Sequence, residues 1–174
     1  MAGEENSSTR TVKLISMDGE TFEVPQEVAS MSQLVKTLLS DDADADSGEA
    51  QEVPLPNVRG SVLAKVVEFC QHHHNNPMKE IEKPLRSNDL KTAVSEWDCN
   101  FVTLEDHALL FELILAANYM DIKSLLNLTC AKVATMIRGK TPQEIRATFG
   151  VTEEFTPEEE QRIRDENKWC EDLL

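Results

Sequence analysis

The amino-acid sequence predicts a mixed α/β fold in which short strands near the N-terminus precede a series of helices. Three observations support this prediction: an Asp-Gly turn between two β-like runs, later stretches with apolar residues three and four positions apart, and two copies of a helix-start pattern near the C-terminus. The 174 residues correspond to one domain with appendages, since a domain has about 150 residues. Apolar residues make up 40% and charged residues 28%, a composition typical of a globular protein.

The first predicted element is a β-hairpin. Its strands, Val12–Ser16 and Thr21–Val24, are separated by an Asp-Gly pair, which is the strongest short-range hairpin signal. A third strand is predicted at Val53–Leu55. Because a proline in this run removes one backbone donor, we expect the strand at an edge of the sheet.

Helices are predicted on both sides of this third strand. Between Val28 and Leu39, apolar residues recur at helical spacing, and the pattern divides near Met31-Ser32 into two short helices. After the strand, the pattern from Val62 to His74 indicates a longer helix. Asn75-Asn76-Pro77 is expected to end that helix.

Three segments are predicted to lie outside the packed core. Residues 1–10 are expected to be a disordered tail, and residues 41–52, with six acids and no base, an exposed loop. Residues 75–96 lack clean periodicity and are interpreted as an extended, mostly exposed linker. Trp97 follows the linker and is expected to anchor the chain back onto the core.

Two long helices are predicted in the C-terminal half. Thr103–Asp121 is apolar on nearly all sides, which is typical of a helix buried between other elements. Ile122–Arg138 follows it. Gly139 is placed to end this second helix in the left-handed conformation that glycine adopts readily.

Two further helices are predicted from a shared start signal. Thr141-Pro142 and Thr156-Pro157 each place a threonine N-cap before a proline, with a glutamate three residues after the threonine. This is a capping box with proline at the position where its missing N–H has no consequence. The second helix, from Pro157 to about Cys170, is nearly all polar.

The charge balance excludes several classes of partner. The formal net charge is −15, from 32 acidic and 17 basic residues, which argues against binding nucleic acid or an anionic membrane. No apolar run reaches the roughly 18 residues that a membrane span needs. Residues 1–10 lack the apolar stretch of a signal peptide, and the four cysteines lie at least 29 positions apart. We therefore expect free thiols and a cytosolic or nuclear protein.

The sequence predicts no catalytic, cofactor or metal site. Gly139-Lys140-Thr141 lacks the earlier glycine and the preceding strand of a phosphate-binding loop, and helix capping accounts for it. His72-His73-His74 cannot share one tetrahedral metal site, because successive helical residues point about 100° apart. A polar helix end is expected there instead. The chain also has no nucleophile motif, and acid pairs such as Asp41-Asp42 fall in a solvated loop.

The apolar residues of the last third of the chain leave two interpretations open. Tyrosine and tryptophan are favoured anchors at protein interfaces, but the same side chains would also pack in one core. The aromatic residues concerned are Phe111, Tyr119, Phe149, Phe155 and Trp169. An acidic binder of basic proteins is a further alternative, whose binding should collapse with salt because charges are screened within about 10 Å at 0.1 M.

Several segments carry a family resemblance. The most specific runs from Leu110 to Lys123 and reads LFELILAANYMDIK; CAKVA from Cys130, IRGKTP from Ile137 and ENKWC from Glu166 follow in order. The N-terminal half contributes the segments DGE, VPLPNV and WD. Together, over about residues 11–172, these segments resemble the Skp family, the adaptors of Skp–cullin–F-box (SCF) ubiquitin ligases.

The resemblance implies a BTB/POZ α/β fold, in which a small three-stranded sheet packs on a helical cluster, with added C-terminal helices. It implies a BTB/POZ-like domain over residues 11–138 and F-box-binding helices over residues 139–174. Elongin C shares only the BTB part, so residues 141–172 favour the Skp family. The implied function is that of a non-catalytic, cofactor-free adaptor that bridges a cullin to F-box proteins and dimerises weakly when no F-box protein is bound.

The resemblance also implies particular contact residues. The cullin-binding residues would be Phe111, Asn118 and Tyr119. The F-box-binding residues would be Leu126, Cys130, Val133, Ile137, Ile145 and Trp169. Pro142 lies in a Lys-Thr-Pro segment that some protist members hydroxylate and glycosylate, and the intact mass of protein from the native organism would test this modification.

Overall fold

The computed structural model describes residues 10–41, 50–152 and 155–171. The predicted tail falls almost entirely outside these residues, as does most of the acidic loop. The elements are β1 Thr11–Ser16, β2 Thr21–Pro25, α1 Gln26–Ala29, α2 Gln33–Asp41, β3 Gln51–Leu55, α3 Gly60–Asn75, a 3-10 turn Leu90–Thr92, α4 Glu96–Phe101, α5 His107–Tyr119, α6 Lys123–Ile137, α7 Pro142–Thr148, α8 Pro157–Glu166 and α9 Lys168–Glu171. The chain divides into two compact units, Met1–Arg138 and Gly139–Leu174.

The three strands form one sheet in the order β2-β1-β3. β1 pairs with β2 in antiparallel orientation and with β3 in parallel orientation. The predicted hairpin is confirmed, and its turn places Gly19 at a φ of 83°, where a residue with a Cβ would be strained. The predicted third strand is also confirmed at an edge, and Pro54 therefore interrupts no central ladder.

The helices of the first unit surround one apolar core. α1 and α3 pack against the sheet, α5 packs on α3, and α6 packs on α5. The division between α1 and α2 is confirmed, and Ser32 explains it. Its hydroxyl donates to the Met120 carbonyl at 2.6 Å and accepts from the Val35 N–H at 3.2 Å, so it caps α2 and ties α2 to the end of α5. The residues with essentially no exposed surface include Leu55, Leu63, Phe69, Leu113, Leu125 and Leu128.

Two of the predicted exposed segments differ from expectation. Asp41 belongs to α2 and Gln51 begins β3, so both ends of the predicted loop are regular structure. The 75–96 linker is irregular apart from its 3-10 turn, but it is not merely exposed, because Ile81 and Leu90 are each only 5% exposed and join the core. Single apolar residues in a polar segment carry no periodic signal, so the pattern could not identify these anchors.

Two helix boundaries also differ. α5 begins at His107, four residues later than predicted, because the Asp106 carboxylate caps it by accepting from the Ala108 N–H at 2.8 Å. The last polar helix is interrupted at Asn167, whose side-chain amide donates to the Ile163 carbonyl at 2.7 Å. Both capping boxes are confirmed at Thr141 and Thr156.

Candidate functional site

Helix α5 is buried on one side only. Leu110, Leu113, Ala116 and Ala117 lie in the core and hold the helix against α3 and α6. The expectation that α5 is enclosed on nearly all sides is wrong, because Leu115 on the same helix is 68% exposed. A uniformly apolar sequence has no contrast between its sides, so periodicity could not distinguish the packed side from the open one.

The exposed side of α5 is an apolar stripe with a polar end, which we call the α5 outer face. Phe111 is 38% exposed, Leu115 follows one turn later, and Asn118 is exposed one turn after that. Tyr119 is half-buried and packs partly against the core. These positions are spaced at i, i+4, i+7 and i+8, so they share one side of a helix. The structure thus brings the three residues implied for cullin binding together and adds Leu115.

An ion pair connects α5 to the start of α3. The Arg59 guanidinium donates to both carboxylate oxygens of Glu112, through Nε at 3.1 Å and through Nη2. The hydrogen bond to Glu112 raises the pKa of Arg59. Glu112 lies directly after Phe111 in α5. The pair therefore links α5 to the N-terminus of α3 and places polar groups beside the apolar stripe.

Helix α6 presents a second stripe, which we call the α6 stripe. Leu126, Cys130, Val133 and Ile137 recur at intervals of four, three and four residues, so they lie along one side. Cys130 is exposed and Ile137 is 38% exposed, whereas Leu126 and Val133 are half-buried. The opposite side contributes Leu125, Leu128 and Ala131 to the core. The structure therefore places four of the six residues implied for F-box binding in one row.

The second compact unit carries the other two implied residues. Ile145 in α7 is half-buried and Trp169 in α9 is 68% exposed. Phe155 and Ile163 are also exposed, at 51% and 37%. None of the ten residues of α8, Pro157–Glu166, is buried. Pro142 is exposed as the first residue of α7, and its modification stays a prediction.

The end of α3 contains a buried polar network that the sequence did not predict. His73 and Asp98 are 5% and 2% exposed, and His73 Nε2 lies 2.7 Å from Asp98 Oδ1. His73 Nδ1 donates to the Asn76 carbonyl at 2.8 Å, because a carbonyl only accepts. The Ser95 hydroxyl donates to the other oxygen of Asp98 at 2.7 Å. The predicted polar helix end is thus wrong for His73, which fastens α4 to α3.

Aromatic neighbours of His73 add to the contact between α3 and α4. Trp97 stacks between His72 and Phe101, with ring centroids 3.7 Å and 5.0 Å away, so its predicted role as an anchor is confirmed. A cavity of about 390 Å³ opens beside the network between His72, Met78 and Val94. Ser95 bonds to the carboxylate and not to the imidazole, so His73 is not positioned to activate that hydroxyl as a nucleophile.

Two features that would point to other kinds of function are absent from the described residues: a cluster of metal ligands and a membrane-spanning helix. Across residues 10–41, 50–152 and 155–171, no three His, Cys, Asp or Glu side chains are grouped as a metal would require. Within the same ranges, no helix combines the length and apolarity needed to cross a bilayer. The exposed apolar stripes on α5 and α6 have the character of interaction surfaces, because apolar side chains lie exposed there in continuous rows.

The described cysteines should differ sharply in reactivity. Burial raises the pKa of the Cys70 thiol to about 12, so this thiol stays protonated at neutral pH, while Cys130 lies exposed on the α6 stripe. We expect iodoacetamide to alkylate Cys130 in the native protein and to spare Cys70 and the buried Cys99 until denaturant is added. Peptide mapping by mass spectrometry would separate the sites. Equal labelling of Cys70 and Cys130 in the native protein would contradict the burial described.

Comparison with known proteins identifies the family. A model described as "Skp1 family, tetramerisation domain" matches residues 10–75, and one described as "Skp1 family, dimerisation domain" matches residues 123–170. The "S-phase kinase-associated protein 1 homolog" of Tetrahymena thermophila is 50% identical over 161 residues, covering 92% of this chain and 94% of the relative. The chain belongs to the Skp1 family. The predicted BTB/POZ-type fold, a three-stranded sheet with helices and a helical C-terminal region, is confirmed.

Other Skp1-family relatives match over nearly the whole chain. The "Skp1-related protein" of Caenorhabditis elegans is 45% identical over 170 residues, which is 97% of this chain and 96% of the relative. The "SCF ubiquitin ligase complex protein SKP1a" of Dictyostelium discoideum is 47% identical over 161 residues, 92% of this chain and 96% of the relative. The similarity therefore includes the α5 outer face, which lies between the segments that the two family models match.

Proposed function

We propose that this chain is the adaptor subunit of an SCF-type ubiquitin ligase and bridges a cullin scaffold to F-box substrate receptors. The role is non-catalytic and needs no cofactor. The chain would act only by linking the substrate receptor to the scaffold that carries the ubiquitin-transfer machinery. Relatives that are 47% identical carry names of SCF complex subunits, which supports the assignment. The F-box partner, and not this chain, selects the substrates.

The observation that carries this proposal is the α5 outer face. A monomer that exposes Leu115 to 68% and Phe111 to 38% on one helix side loses favourable burial unless a partner covers the stripe. The neighbouring Asn118 and the Arg59–Glu112 pair supply a polar rim, as protein interfaces have. We assign this face to the cullin.

The α6 stripe and the second unit are assigned to the F-box partner. Ile137 and Cys130 offer exposed apolar area on α6, and Trp169 offers a large exposed aromatic side chain on α9. Buried tryptophan is among the commonest hot-spot residues at interfaces, so Trp169 is the expected anchor of the second unit.

Co-purification tests the proposal directly. The purified chain is mixed with a cullin N-terminal domain and with an F-box protein, separately and together, and each mixture is analysed by size-exclusion chromatography. A ternary complex is expected, and it should persist at 0.5 M salt because the proposed contacts are mainly apolar. Binding that disappears above about 0.1 M salt would instead indicate an acidic chain attracting basic proteins through charge alone.

The segment that begins at about Phe149, of which the structure describes residues 149–152 and 155–171, is predicted to be mobile in the free protein and to become ordered on F-box binding. The α8 helix buries no side chain, and a helix of about 12–15 residues is marginal in water without such packing. Hydrogen exchange with and without an F-box peptide should show protection of Arg162–Trp169 only in the complex. Amides of that segment already protected in the free monomer would contradict the prediction and leave the adaptor role intact.

Self-association and location complete the proposed function. The descriptions of both matching family models name oligomerisation, which supports weak homodimers when no F-box protein covers the α6 stripe. Sedimentation at increasing concentration, with and without an F-box protein, tests this: the dimer should dissociate as the F-box protein binds. The cytosolic and nuclear location expected from the sequence stays a prediction that imaging of a tagged chain can test.

A further inference from the structure

Arg146 has an unused hydrogen-bond donor. Its Nη2 atom is buried and has no hydrogen-bond partner among the described residues, the only such buried side-chain nitrogen or oxygen in that part of the chain. The guanidinium carbon lies 4.9 Å from the centre of the Phe155 ring, so one side of the group is stacked on an aromatic ring. Both residues belong to the second unit.

The neighbouring acid does not satisfy this donor. Glu144, two positions earlier in α7, accepts from the Thr141 backbone N–H at 2.7 Å and from its hydroxyl at 3.0 Å, and these hydrogen bonds lower the pKa of its carboxyl. The Arg146 carbonyl accepts from the Val151 N–H at 2.9 Å, so this carbonyl already has a hydrogen-bond partner. The group that lacks a hydrogen-bond partner is Nη2 of the side chain.

A buried donor without an acceptor is unfavourable, and native proteins keep few of them without a reason. The stacking on Phe155 offsets part of this loss, since a cation gains from the face of an aromatic ring. It does not replace a hydrogen bond. Phe155 is 51% exposed, so an incoming partner can displace its ring and reach the guanidinium.

We propose that Arg146 is a polar contact for the F-box partner, donating from Nη2 to an oxygen acceptor that the partner places beside Phe155. The acceptor is a carboxylate or a main-chain carbonyl, both of which match the planar fork of a guanidinium. The inference rests on the proposed adaptor function and extends it, because it names a residue outside the apolar stripes.

The test compares four forms of the full chain: the unaltered chain, Arg146→Gln, Arg146→Lys and Arg86→Gln. Arg86 lies in the first unit, outside both apolar stripes, and its side chain is exposed beside Glu82. Its substitution removes the same charge as Arg146→Gln, so it is the matched control. Calorimetry with one F-box protein should show roughly tenfold or greater loss of affinity for Arg146→Gln. Arg146→Lys should be intermediate, since it keeps the charge and loses the planar guanidinium, and Arg86→Gln should stay near the unaltered chain.

Circular dichroism and cullin binding separate this role from a structural one. Nη2 makes no hydrogen bond that the substitution could remove, and Phe155 belongs to the segment predicted to be mobile without an F-box protein. Arg146→Gln should therefore keep its helix content, melting temperature and affinity for the cullin. Equal F-box affinity of Arg146→Gln and the unaltered chain would overturn the inference, as would a fall in melting temperature that accompanies the lost affinity. If the unaltered chain bound no F-box protein at all, the adaptor function itself would fail. A loss of affinity that becomes smaller in high salt would indicate that the partner's acceptor is a carboxylate. A loss that stays the same in high salt would indicate a main-chain carbonyl.

Discussion

Replacing His73 with alanine is expected to lower the free energy of unfolding by about 3–5 kcal/mol, the usual result of removing one member of a buried ionisable pair. The imidazole lies 2.7 Å from Asp98 and donates to the Asn76 carbonyl at the other ring nitrogen. Without the imidazole, the carboxylate of Asp98, a residue that is 2% exposed, keeps a single side-chain hydrogen bond, from the Ser95 hydroxyl. The side chains around the lost imidazole also lose their packing. Urea denaturation followed by fluorescence would measure the change.

His74→Ala is the matched control for this substitution. His74 is partly exposed and lies 3.4 Å from the exposed carboxylate of Glu27, a pair worth at most about 1 kcal/mol. A double variant, His73→Ala with Asp98→Ala, should lose less free energy of unfolding than the two single variants lose in total. Each single change leaves the other partner buried without its hydrogen bond, and the double variant leaves neither. Equal stabilities of His73→Ala and His74→Ala would show that the buried network contributes little.

A charged residue on the α5 outer face is expected to weaken cullin binding by about 2 kcal/mol or more, roughly 30-fold, as loss of an interface hot spot does. The double variant Asn118→Lys with Tyr119→Lys introduces two charges there. Leu115→Glu is the sharper test, because Leu115 is 68% exposed and its substitution disturbs no core packing, whereas Tyr119 is half-buried. Surface-binding measurements with an immobilised cullin N-terminal domain would give the affinity.

Ile137→Glu on the α6 stripe provides the reciprocal control. It should weaken F-box binding and spare the cullin, while Leu115→Glu should do the opposite, since the two exposed side chains lie on different helices. Melting temperatures should stay within a few degrees for both variants. If Leu115→Glu abolished binding of both partners and also lowered the melting temperature, α5 would serve the core and not an interface.

Local rules explain most of the elements that were predicted. The Asp-Gly turn, the two threonine capping boxes and Gly139 at a φ of 74° are each decided by residues within a few positions, so a sequence reveals them. The start of α5 was misplaced because Thr103 and Asp106 are both residue types that favour a helix N-cap, so the sequence offers two N-caps from which the helix could run. Asp106 sets the boundary through one side-chain hydrogen bond, which composition alone does not show.

By itself, the sequence determined the α/β class, the edge strand with Pro54, the two-helix division near Ser32 and, through the LFELILAANYMDIK run, the family. Only the tertiary structure decided which side of α5 stays open, that His73 pairs with Asp98 across 25 positions, and that Ile81 and Leu90 anchor the linker. The physical reason is the range of the interactions. Turns and caps depend on neighbours along the chain. Burial depends on which distant segments pack against each side of a helix, and a helix that is apolar all round can be packed on any side.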